Sequence, residues 1–143
     1  MTLVAGLLGL VAVLALPLAA KLVPMGEEQA LAEASLVVHA RLLGEPVPVG
    51  SAAVFLAACL ETAKGAASPT VRVACSLCPP CLPDRIEQIP EVLRKGAEVI
   101  LFLARPDQAS GPWRIVGQWE GPGLRPFTRE AWQAIREAVR RQP

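Results

Sequence analysis

Short runs with the hydrophobic patterning of β-strands, separated by links that carry glycine or proline, occupy most of residues 35 to 119 and constrain this chain more than any other feature. In Ser35 to Leu43, the side chains of Leu36, Val38, Ala40 and Leu42 share one face while His39 and Arg41 share the other. That alternation is the signature of a half-buried strand, and Gly44-Glu45-Pro46 ends it. Ala52 to Ala63 and Thr70 to Leu77 read as two more strands, joined as a hairpin by Lys64-Gly65-Ala66-Ala67-Ser68-Pro69. Glu98 to Ala104 is continuously apolar between Gly96 and Pro106, which predicts a central strand covered on both faces. Trp113 to Trp119 alternates again, with Trp113, Ile115 and Trp119 on one side, and the Asp107 to Pro112 link makes it the partner of the preceding strand. Five short strands with helices at the ends predict a mainly β fold, a small β-barrel.

Helical signals flank these runs. Gly26 to Ala34 is rich in helix formers, with Glu27 and Glu28 placed where the helix dipole favours acids. Asp84-Arg85-Ile86-Glu87 has capping-box spacing, but Pro90 limits it to about one turn. A C-terminal helix is expected from Thr128 as N-cap, with Phe127 stapled onto Trp132. Trp132, Ile135 and Val139 form its apolar stripe, and Arg136, Glu137, Arg140 and Arg141 its solvated face.

Leu3 to Ala20 reads LVAGLLGLVAVLALPLAA, an uncharged stretch about long enough to cross a hydrocarbon core of roughly 30 Å as a helix. Residues 1–24 are therefore expected to be a signal peptide or an N-terminal membrane anchor, and residues 25–143 the barrel domain with its C-terminal helix. Both fates of the leader stay open, because Leu18-Ala19-Ala20 is an imperfect small-x-small exit. Such a segment followed directly by a small domain places the domain on the exported side of a cell envelope, secreted or anchored, with the membrane as a partner through residues 3–20 if they are not cleaved; the flanking charge, Lys21 after the segment and no basic residue before it, also permits a cytoplasmic domain. A formal net charge of +1 gives no basic excess of the kind that nucleic acid selects. The chain has one histidine, no Gly-x-Ser-x-Gly and no His-Glu-x-x-His, so acid-base or triad chemistry has little material. His39 is expected to be a satisfied or solvent-facing residue. The resulting expectation is a non-enzymatic binding or scaffolding domain whose partner is an unidentified envelope protein or ligand. A rival contact uses Arg129, Arg136, Arg140 and Arg141 against a membrane or an acidic partner.

A family resemblance agrees with this outline. The order of Glu27-Glu28-Gln29-Ala30-Leu31-Ala32-Glu33-Ala34-Ser35-Leu36-Val37-Val38 with Ala40-Arg41, then Lys95-Gly96-Ala97-Glu98-Val99-Ile100-Leu101-Phe102-Leu103, then Trp113-Arg114-Ile115-Val116-Gly117 and Gly121, resembles bacterial exported domains with the OB-like barrel of tissue inhibitors of metalloproteinases. The likeness spans roughly residues 27 to 123 and implies a fold and an exported location. The terminal inhibitory cysteine of those inhibitors has no counterpart here, and the cluster from Cys75 to Cys81 lies outside their pattern, so inhibition of proteases is not implied.

Sulfur is the remaining chemistry. Cys75, Cys78 and Cys81 fall within seven residues, and Cys59 is the fourth cysteine. If the hairpin turn is centred on Ala67, Cys59 and Cys75 lie directly opposite each other, within reach of a disulfide, and Cys78 can close on Cys81. Two such bridges would stabilise a small exported domain. Two alternatives remain: thiol-disulfide exchange at Cys78-Pro79-Pro80-Cys81, and a zinc or iron-sulfur site made by Cys59, Cys75, Cys78 and Cys81. On the first reading no cofactor is needed.

Overall fold

The computed structural model describes residues 26–76, 89–117 and 122–143. The apolar stretch from Leu3 to Ala20, the Asp84 turn, Trp119, Cys78 and Cys81 lie outside the described residues. Helix α1, Glu27–Glu33, carries Glu27 and Glu28 in its first turn and buries Ala30 and Leu31. Strand β1, Leu36–Leu42, follows, then β2, Val47–Val49, and the long β3, Ala52–Lys64. Strands β4, Thr70–Ser76, β5, Glu98–Ala104, β6, Trp113–Ile115, and β7, Leu124–Pro126, lead to helix α2, Arg129–Arg140. Thr128 caps α2 as expected, its hydroxyl accepting from the Ala131 amide at 3.1 Å.

The strands close a five-membered ring. Strand β1 pairs antiparallel with β3 on one edge and with β5 on the other, β3 continues to β4, and β4 and β5 are joined through β6. The β4 to β6 pairing is parallel and the rest of the ring antiparallel. Two strands missed in the sequence extend the ring. Strand β2 forms a tight hairpin with β3, with Val49 opposite Ala52 across Gly50-Ser51. Gly50 has φ of 61° whereas Ser51 does not have positive φ, which is the II′ arrangement that suits strand twist. Strand β7 adds to β5, with Pro126 opposite Val99.

Two cores result, one on each side of β1 and β5. Leu36, Val38, Ala40 and Leu42 point into the barrel with Phe55, Val73, Val99, Leu101 and Leu103. Val37, Ile100 and Phe102 point outward and are covered by Ala30 and Leu31 of α1 and by Trp132 and Ile135 of α2. Strand β1 is therefore not half-buried: only Arg41 is exposed, because both helices fold over its outer face. Strand β5 is covered on both faces, as its unbroken apolar run requires. Phe127 packs against the outer core that holds Trp132, but its ring stacks on His39.

The far end of β3 is fixed to β1 and α1. Lys64 pairs with Val37 and donates to the Leu31 carbonyl at 2.6 Å. Gly65 follows with φ of 82°, and a Cβ at that position would collide with the Ser35 carbonyl. Both properties demand glycine. Gly65→Ala is expected to lose about 1–3 kcal/mol of stability in urea denaturation. Gly44→Ala, with open space around it, should change stability by less than about 0.5 kcal/mol. Equal effects at the two positions would contradict this packing.

Candidate functional site

Pinning β3 to β1 moves the hairpin that carries the cysteines. Strands β3 and β4 pair from Ala52 opposite Ser76 to Ala58 opposite Thr70, so Cys75 faces Ala53. Cys59 lies beyond the ladder's last pair, opposite Ala40 of β1, with its amide donating to the Pro69 carbonyl at 2.9 Å. The expected alignment about Ala67 is thus corrected. The last part of β3 belongs to β1, and the β3 to β4 ladder ends at Ala58. Cys59 stands six residues from the position opposite Cys75, about 20 Å along a strand. A disulfide needs Cα atoms within about 7 Å, so Cys59 and Cys75 cannot bridge in this register. Nor can they share one metal ion, whose thiolate bonds are about 2.3 Å long.

Both are free thiols in this structure. Cys75 is fully buried in the barrel interior, and desolvation pushes its thiol up to about 11. Burial also raises the half-buried Cys59 above its ordinary value. Neither environment favours the thiolate that attacks disulfides or binds metal. Among the described residues no group of three or more His, Cys, Asp or Glu could hold a metal ion. The Cys78 and Cys81 pair lies outside the described residues.

His39 is the most highly connected polar residue of the described parts, and its partners were not apparent in the sequence. Its ring is buried, at 5% exposure, on the outer face of β1. Nδ1 lies 3.1 Å from Oε2 of Glu61 on β3, and Nε2 lies 2.7 Å from Oε1 of Glu98 on β5. Those strands flank β1, and the register sets His39 opposite Glu61 on one edge and opposite Ile100 on the other, with Glu98 two residues along β5 on the same face. Phe127 stacks on the ring at 3.6 Å and 7°, and Trp132 tilts against it at 5.9 Å. Arg129 reaches Glu61 at 3.7 Å and Arg41 reaches Glu98 at 3.8 Å. His39 is thus satisfied, as its lone position on a strand implied. The two carboxylates approach opposite nitrogens, a geometry for hydrogen bonding and not for chelating one ion with the ring.

The third feature is apolar and exposed. Leu43, Val47, Val49 and Leu56 are each 46–58% exposed. With Val54 and Arg72 they line an open groove of about 500 Å³ on the outer side of β2 and β3. The free edge of β2 is blunted: Val47 and Val49 spend their backbone groups on β3, and the residue between them is Pro48, which has no N–H to offer. Docking there would therefore use side chains on the face of the sheet more than added strand pairing.

No protein-family model matches the chain, and none of the curated proteins does. Among the described residues no helix is long and apolar enough to cross a membrane.

Burial of Cys75 makes stability depend on pH in the reduced protein. The folded thiol holds its proton up to about pH 11, whereas an unfolded one releases it near pH 9, so the unfolded state binds fewer protons between these values and stability falls as pH rises through that window. The drop in urea midpoint over this range should shrink in Cys75→Ala compared with the parent. An identical pH profile in the two proteins would refute the buried thiol.

Proposed function

We propose that this chain is a non-enzymatic binding or scaffolding domain of the cell envelope, an OB-like barrel exported by or tethered through residues 3–20. The finer fold reading draws support from the circuit β1, β3, β4, β6, β5 and back to β1, with its single parallel pairing between β4 and β6. In OB-like barrels the second and third strands of the circuit present ligands. Here those strands are β3 and β4.

The observation that carries the binding reading is the exposed groove on that side. A row of exposed aliphatic side chains is costly to leave in water and marks interaction surfaces when contiguous. The partner this chemistry favours is an apolar protein surface, with Glu45 and Arg72 at the rim to set orientation. Catalysis has no comparable support. The described thiols are protonated and far apart, and the single histidine is enclosed by its own partners. Disulfide stabilisation, if present, would have to use Cys78 or Cys81.

Export is supported by the uncharged stretch from Leu3 to Ala20. Two measurements test the proposal in cells of the native host. A reporter that is active only outside the cytoplasm, fused after Pro143, is expected to be active; activity of a cytoplasmic reporter alone would reject export. A photo-crosslinker at Val49 is expected to trap a discrete partner, and Val47→Lys with Leu56→Lys to abolish the adduct. An adduct that survives both lysines would remove the groove from the account.

A further inference from the structure

We propose that His39 is a proton-operated latch that fastens the C-terminal helix to the barrel. Both ring nitrogens face carboxylate oxygens, Glu61 at Nδ1 and Glu98 at Nε2. A neutral imidazole carries one N–H, whereas the imidazolium carries two. Only the doubly protonated ring can donate to both acids. The stacked face of Phe127, 3.6 Å from the ring centre and almost parallel to it, also favours a cation. The enclosure at 5% exposure opposes a charge, and the two acids are what offset it.

The groups facing the ring come from every element around it. Strand β3 supplies Glu61, β5 supplies Glu98, β1 itself supplies Arg41 against Glu98, and α2 supplies Arg129 against Glu61. Phe127 and Trp132 complete the enclosure from the segment that leads into α2 and from α2 itself. Glu61 is therefore shared: its Oε2 accepts from His39 Nδ1 and pairs with Arg129, one residue after the N-cap of α2. Phe127, Thr128 and Arg129 form the hinge by which α2 reaches the barrel, and the ring contacts that hinge both directly and through Glu61.

Loss of one proton from the ring to solvent changes this arrangement in a defined way. The longer bond, at Nδ1, is the one released, which leaves Nε2–H donating to Glu98. Nδ1 then presents a lone pair to the Glu61 carboxylate. The repulsion is relieved if Glu61 and Arg129 move away from the ring, and Phe127 loses the cation beneath it. The docked face of α2, Trp132 and Ile135 over Val37, Ile100 and Phe102, loses its hinge contact and opens more often. The latch is closed in acid, as long as the two glutamates stay ionised, and loosens as the ring becomes neutral.

The chain has a single histidine, so its ring gives one unambiguous set of signals. The test uses the full chain in detergent micelles, labelled with nitrogen-15 in histidine, with the pH raised from about 5 until the ring has lost one proton. Both ring nitrogens are expected to be protonated at the acid end. On raising pH, Nδ1 alone should lose its proton. Over the same step, amide protection in α2, corrected for intrinsic exchange rates, should fall at least about tenfold, the scale of one charge-assisted hydrogen bond. Glu61→Gln supplies an amide N–H to the bare Nδ1, so in this variant α2 should stay protected through the step. A ring that is one neutral tautomer across the whole range would overturn the proposal. So would α2 protection that ignores the ring's titration, or that falls equally in Glu61→Gln.

Discussion

Strand β1 is used on all four sides, and the rest of the fold depends on that. Its two edges pair with β3 and β5 and so close the ring. Its inner face packs into the barrel and its outer face beneath α1 and α2. Each of these contacts constrains the others, because a shift of one residue in β1 would exchange the side chains of the two cores. Leu36, Val38, Ala40 and Leu42 suit an interior lined from five strands, while Val37 and His39 suit a surface roofed by helices.

The position of the sulfurs follows from the same constraint. Because β1 claims the end of β3, the β3 to β4 ladder is short, and Cys59 and Cys75 are drawn apart. Cys75 becomes part of the barrel interior, as a small apolar side chain with a weak donor that reaches the Ser76 carbonyl at 3.8 Å. The polar cluster around His39 has the same origin. With β3 and β5 on either side of β1, an acid from each strand meets the one imidazole between them. The proposed binding surface lies elsewhere, where β2 and β3 leave the helices behind and no element among the described residues covers Val47, Val49 and Leu56.

Much of the architecture was legible in the residues. The apolar run of Glu98 to Ala104, the alternation of Leu36 to Leu42 and the Thr128 cap report local physics, and each element appears at those residues. Strands β2 and β7 were not legible because they are three residues long and contain Pro48 and Pro126, so pairing with an existing strand overrides local preference. Register was the larger loss. Symmetry about Ala67 was the natural assumption for an isolated hairpin, and it failed because β3 serves two neighbours in turn. The enclosure of His39 was half visible: its isolation on a strand face argued for a satisfied residue, but Glu61 and Glu98 are brought to it only by ring closure, from 22 and 59 residues away in sequence.

The closure of the ring through β1 is the claim on which the sulfur positions, the histidine cluster and the exposed groove all rest. Native-state hydrogen exchange of the full chain tests it residue by residue. The amides of Val38, Ala40, Leu101 and Leu103 should exchange only through global unfolding, with one shared opening free energy equal to that from denaturant. Val47 and Val49, on a three-residue edge strand, should open far more readily. If β1 and β5 exchange at different free energies, or if β1 opens as readily as β2, the ring is not closed through β1 and the account is wrong.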